Sequence, residues 1–196
     1  MLVYIDQSGD ASTFFGLGDI NIADVAQSGT NSSIDVIQTA TNPGGLALFT
    51  PNVVALSQDA TDSSIYVEQI GEGNDVGELG APVTQIGTNL AMVVRQDGRE
   101  NGAFGSQSGM DNILNIDQNG FRNEVNFDQA GFLNVGEVTQ DGRRNFVELT
   151  QAEGWNEAVI HQDGNDNDAF VNQTIGNTQL AVENQIGNGN TVNVSQ

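Results

Sequence analysis

Asn112-Ile113-Leu114-Asn115-Ile116-Asp117-Gln118-Asn119-Gly120-Phe121-Arg122 is followed directly by Asn123-Glu124-Val125-Asn126-Phe127-Asp128-Gln129. Each half opens on Asn, places apolar residues second and fourth after it, and reaches Gln at the sixth place. Alternation of apolar and polar residues is the period of a strand with one buried and one wet face. The Gln-x-Gly-x-x-Asn segment is turn chemistry, because Gly admits positive φ and Asn tolerates it better than most residues. Each unit therefore reads as one short strand plus one tight arc.

The unit recurs along the chain. Gln85, Gln96, Gln107, Gln118, Gln129, Gln140, Gln151, Gln162 and Gln173 are spaced by 11 residues; Gln185 and Gln196 follow after steps of 12 and 11. Gly stands two places after Gln at Gly71, Gly87, Gly98, Gly109, Gly120, Gly131, Gly142, Gly164 and Gly187. Asn stands five places after it at Asn101, Asn112, Asn123, Asn134, Asn145, Asn156, Asn167 and Asn190. An 11-residue period also suits a supercoiled helix. A Gly in nearly every unit, each costing about 1 kcal/mol against Ala in a helix, excludes that reading.

Two units make a coil of about 22 residues, strand-arc-strand-arc, and stacked coils give an all-β solenoid with two facing parallel sheets of cross-β spacing. The core is one layer thick, so small residues such as Ala103/Gly105 and Gly136/Val138 can sit among bulkier units. Residues in phase lie above one another, and an inward Gln or Asn, costly to bury alone, is satisfied by a ladder up the stack.

The chain reads as one domain over residues 1–196, regular from 85 to 196 and irregular before that. Gln7 to Gln27 and Gln38 to Gln58 each span 20 residues, read as a 9-residue unit plus an 11-residue one, with Gly16 and Ala47 in the place of Gln. Gln69 to Gln85 holds five extra residues, expected to bulge as a loop around Val76–Pro82. The expectation is sixteen strands, or eighteen with the two degenerate ones, in eight or nine coils. Val3 and Ile5 in the first strand, and Val192 and Val194 in the last, stand in the buried phase with no polar capping unit beyond them. Uncapped edges of this kind template the next strand, and a heterologous contact that does not close makes filaments. The expected assembly is a head-to-tail homopolymer.

Composition narrows the function classes. The net charge is −21, from 26 acids against five Arg and no Lys, which disfavours nucleic acid and anionic membranes as partners and keeps unassembled chains apart. No apolar run approaches the ~18 residues of a membrane span. With one His (His161) and no Cys or Lys, nucleophile and general-base chemistry is thin, and the chain reads as a non-enzyme without cofactor or metal. Asp163-Gly164-Asn165-Asp166-Asn167-Asp168 has a faint likeness to a calcium loop but lacks its spacing. Trp155 reads as arc packing. A monomeric acidic solenoid that binds a ligand through a flat face, or acts as an adhesin, is the alternative class; its outward row would be uniform, whereas Phe104, Asn115, Glu137 and Val159 are mixed.

The motif Ser-x5-Gln-x-Gly-x-Gly-Asn-x-Ala-x3-Gln resembles the curlin repeat of curli fibre subunits. Ser32 to Gln38 and Ser63 to Gln69 carry its first part; Gln69-Ile70-Gly71-Glu72-Gly73-Asn74 and Gln185-Ile186-Gly187-Asn188-Gly189-Asn190 its centre; Asn156-Glu157-Ala158 to Gln162 and Asn167-Asp168-Ala169 to Gln173 its last part. The resemblance implies export through an outer-membrane secretion pore, extracellular assembly into biofilm-matrix amyloid and a minor nucleating subunit as partner. The array exceeds the family's usual number of units, and Ala40, Ala60 and Glu153 replace the arc Gly. The family's secretion-targeting segment is not visible, so the expectation is a mature or trimmed form. A long, mostly regular array favours the major subunit over the nucleator.

Overall fold

In a computed structural model of the chain, which describes residues 1–9, 21–40, 50–174 and 178–196, the alternating segments form parallel strands, each lying on the strand one coil away. The first sheet stacks β1 (Leu2–Gly9), β3 (Ser33–Ala40), β5 (Ser64–Glu72), β8 (Ala91–Arg99), β10 (Ile113–Phe121), β12 (Val135–Arg143), β14 (Glu157–Asn165) and β16 (Leu180–Asn188), in that order. The second stacks β2 (Ile22–Thr30), β4 (Val53–Thr61), β6 (Asp75–Val76) with β7 (Val83–Thr88), β9 (Gly102–Met110), β11 (Glu124–Gln129), β13 (Phe146–Gln151), β15 (Asp168–Gln173) and β17 (Thr191–Ser195). The architecture is the expected all-β solenoid.

Among the described residues each sheet has eight rungs, because β6 and β7 are two pieces of one. Asp75–Val76 lies on Val53–Val54, and Val83 to Thr88 continues along the same strand from Leu56 to Thr61. Between the pieces the insertion turns back on itself through a Glu78–Ala81 bridge. The loop thus falls where the spacing placed it. The two 9-residue units do not add rungs. β1 bonds directly to β3 and β2 directly to β4, Gln7 lying on Gln38 and Gln27 on Gln58. Among the described residues no rung lies between β1 and β3 or between β2 and β4, which gives eight coils. Gly16 and Ala47 themselves lie outside the described residues.

The core is one contiguous cluster between the sheets, running from Ile34 and Val36 through Leu114, Ile116 and Phe127 to Ala169 and Val171. Small and large residues complement one another within it. A Cβ on Gly136 would come within 2.9 Å of both Leu114 and Leu149, and one on Gly105 within 2.9 Å of the Phe127 ring.

The arcs are built on two left-handed positions per unit. The Gly two places after Gln has φ of +119° at Gly120, +121° at Gly98 and +123° at Gly142. The residue four places after Gln is also left-handed: Asn31, Asp62, Asn89 and Asp111, which tolerate it, but also Glu100, Arg122, Leu133, Arg144 and Trp155. The Asn five places after Gln, read from sequence as the residue accommodating positive φ, does not have it; its side chain is buried and hydrogen-bonded instead. A Cβ in the left-handed well costs roughly 1–2 kcal/mol. Leu133 (φ +57°) is 37% exposed and has little packing to lose. Leu133→Gly is therefore expected to stabilise the unassembled chain by about 0.5–1 kcal/mol, offset in part by the freedom Gly adds to the unfolded chain. Urea unfolding followed by circular dichroism checks the sign.

Candidate functional site: the polar ladders and the end edges

Inward Gln side chains form two continuous columns. In the first sheet the Nε2 of Gln7, Gln38, Gln69, Gln96, Gln118, Gln140 and Gln162 each donates to the Oε1 of the next rung's Gln, ending at Gln185, over 2.7–2.9 Å. In the second the same chain runs from Gln27 through Gln58, Gln85, Gln107, Gln129, Gln151 and Gln173 to Gln196, over 2.6–3.3 Å. The other amide hydrogen crosses the core to a carbonyl of the opposite sheet, as from Gln118 to Gly102 (2.9 Å) and from Gln129 to Ile113 (3.0 Å). Three bonds per amide remove the cost of burying it.

The Asn residues stack in the arcs. Asn52, Asn74, Asn101, Asn123, Asn145, Asn167 and Asn190 form one column, in which each Oδ1 accepts the backbone N–H of the next at 3.0–3.1 Å. Their Nδ2 groups hold the arc-Gly carbonyl of the next rung, as Asn123 to Gly142 and Asn145 to Gly164. Asn112, Asn134 and Asn156 stack in the opposite arc. Earlier in that arc Ser32 and Ser63 play the part, and buried Leu90 stands where an Asn would, its backbone N–H donating to Ser63 Oγ. Sequence reasoning chose the columns from Gln85 onward; Gln7, Gln27, Gln38, Gln58, Gln69 and Asn52 belong to them too, on the same inward phase.

Most of the charge sits outside, Glu183 and Asp75 apart. Asp59, Asp97, Asp141, Asp163, Glu124, Glu137, Glu148 and Glu157 are exposed. The Arg side chains pair along one side of the stack: Arg95 with Glu68, Arg99 with Glu72, Arg122 with Glu100 and Arg144 with Asp166. At their exposure these pairs contribute little stability. The calcium-like run is divided by the strand pattern, with Asp163 outward, Asp166 on Arg144 and Asn167 inward in its column. Trp155 is 57% exposed, not packed into its arc as expected.

Asp75, beside the loop, is pushed up to about 6 by burial and by neighbouring Glu78. A carboxyl raised in the fold favours the native state below its unfolded value of 3.8, and that contribution is lost as pH rises through about 6. Asp75→Asn is expected to raise the melting temperature at pH 7 and leave it unchanged below pH 4, a comparison thermal scans at both values check.

At the ends, β1 and β2 on one side and β16 and β17 on the other are each paired along a single edge among the described residues. Val3 is 40% and Ile5 43% exposed, while Val192 and Val194 are half-buried. The outward residues Leu2 and Tyr4 of β1, and Leu180, Val182 and Ile186 of β16, are apolar and exposed. Gln27 Oε1 is buried without a partner among the described residues. So are both carboxylate oxygens of Glu183, which faces inward on β16 at 5% exposure, and burial raises its pKa.

A parallel two-sheet stack with in-register amide ladders defines a cross-β solenoid repeat protein. Residues 142–174 match the curlin associated repeat. The match covers about a sixth of the chain, and the columns of the matched stretch continue in the same register along the stack. No curated protein matches it.

Proposed function

We propose that this chain is the structural subunit of an extracellular curli-type amyloid fibre that builds biofilm matrix and mediates adhesion, grown by head-to-tail stacking of identical copies. The observation that carries the reading is the polarity of the ladders. Every Gln donates toward the β16/β17 end, so that end offers amide hydrogens from Gln185 and Gln196, while the unfilled acceptors at the β1/β2 end are the Oε1 of Gln7 and the buried Oε1 of Gln27. A second copy in the existing register sets Gln7 on Gln185 and Gln27 on Gln196, and sets Leu2 on Leu180 and Tyr4 on Val182. Donors meet acceptors and apolar residues meet apolar residues; head-to-head stacking puts acceptors against acceptors. The outward acids oppose sideways association and leave the axis open. Export through an outer-membrane pore and priming by a nucleating subunit belong to the same proposal.

Dilution from denaturant tests it. The expected product shows a lag removed by seeds, cross-β diffraction, and a mass per length near 5 kDa per nm, from 20.7 kDa over eight rungs of about 4.8 Å. A chain that stays monomeric at high concentration overturns the proposal.

A further inference from the structure

Glu183 breaks the inward pattern of its column. The residues beneath it are Val36, Val67, Val94, Ile116, Val138 and Ile160, all aliphatic and buried. A carboxyl takes the next place, on the rung that forms the edge of the first sheet, with neither oxygen hydrogen-bonded among the described residues. The side chain directly beneath it, Ile160, is apolar and buried. The charged and titratable groups of the adjoining strands, Glu157, His161 and Asp163 on β14 and Asp168 on β15, lie in the outward phase or in the arc and supply neither counter-charge nor donor. Burial alone raises its pKa.

Resting on the head-to-tail reading above, the structural register places Ile5 of the incoming copy directly on Glu183, with Val3 and Gln7 on either side of it and its Asp6 turned outward. The carboxyl, already withdrawn from water in the single copy, then gains an apolar cover and no donor. We infer that the β16 edge accepts the next copy only with Glu183 protonated, so that each addition at this end takes up one proton from solvent. An ionised carboxylate buried without a partner is among the most costly groups a protein interior can hold, and neutralisation is the route open to it. The position therefore sets the conditions under which the fibre grows: slowly where Glu183 is charged, readily where acid neutralises it.

The experiment is seeded elongation across pH 4–9 for the wild-type chain, Glu183→Gln and Glu157→Gln. Because the net charge of −21 also favours assembly in acid, each series is repeated at high salt, which screens exposed charges but not a buried one. In the wild type and in Glu157→Gln, elongation is expected to fall about tenfold per pH unit above the Glu183 pKa, at either salt concentration. Glu183→Gln is expected to abolish that slope and to grow at neutral pH as the wild type grows in acid. A Glu183→Gln series with the wild-type slope, or a slope that salt removes, overturns the inference while the fibre reading stands. Failure of all three chains to elongate at any pH overturns both.

Discussion

Gly120→Ala is expected to cost the unassembled chain at least about 4 kcal/mol and to prevent a native stack, because it combines two of the severe mechanisms of destabilisation. A Cβ at this position lies 2.0 Å from the Gly142 carbonyl oxygen of the next rung, and φ is +119°, where L-residues are strained whatever the space. The oxygen it strikes is backbone, so relief requires the rungs to separate. Gly80→Ala is the comparison: with φ +91° but nothing within 4 Å of the new Cβ, only the backbone term remains, about 1 kcal/mol. Urea unfolding of both variants, read by circular dichroism on the unassembled chain, separates steric contact from backbone strain. The same contact recurs at Gly71, Gly87, Gly98, Gly109, Gly131, Gly142 and Gly164, each against the next rung's backbone oxygen.

Gln118→Ala should cost about 3–5 kcal/mol, whereas Gln196→Ala should cost at most about 1 kcal/mol. Gln118 accepts from Gln96 and donates to Gln140 and to the Gly102 carbonyl. Its loss orphans a donor and two acceptors in a dry core and leaves a cavity, and both effects are large where the surroundings cannot collapse. Gln196 is exposed, with longer bonds of 3.3 Å to Gln173 and 3.4 Å to Leu180. The gradient from middle to end separates a continuous ladder from independent surface amides. Equal costs at the two positions would show that the column does not act as a unit.

Much of this was legible in the residues. Alternation such as Val125/Phe127 before Gln129 fixes the inward face, and the 11-residue spacing fixes the parallel register, because one slip would turn every inward Gln outward. The insertion before Val83 was legible too, since five extra residues in one interval have nowhere to go except out of the stack. The 20-residue intervals left eight or nine coils open, since length alone does not fix the number of rungs; the direct pairings of β1 with β3 and β2 with β4 select eight among the described residues. The role of Asn was half read. Its tolerance of positive φ pointed to the turn, but that φ falls one residue earlier, on residues as ill-suited as Leu133 and Trp155, and the Asn side chain is spent holding the next Gly carbonyl. Ladder polarity carries no sequence signal, because an amide ladder can run either way; only the positions of the opposite-sheet carbonyls that take the second hydrogen set it. Glu183 was visible as an acid in a buried phase, yet its meaning depends on its standing at an edge.

The central claim is that the β16/β17 end of one copy receives the β1/β2 end of the next in unbroken register. The chain has no cysteine among its 196 residues, so a single pair can be introduced cleanly as Ser8→Cys with Ile186→Cys. These outward positions flank Gln7 and Gln185 and come one rung apart, about 4.8 Å, only between stacked copies, within the ~4.4–6.8 Å that a disulfide spans. Mild oxidation of assembled fibres, then denaturing electrophoresis, is predicted to give a series of covalent multimers from the double variant and no more than dimers from either single one. Multimers no more abundant than those of Ser8→Cys alone would contradict head-to-tail stacking.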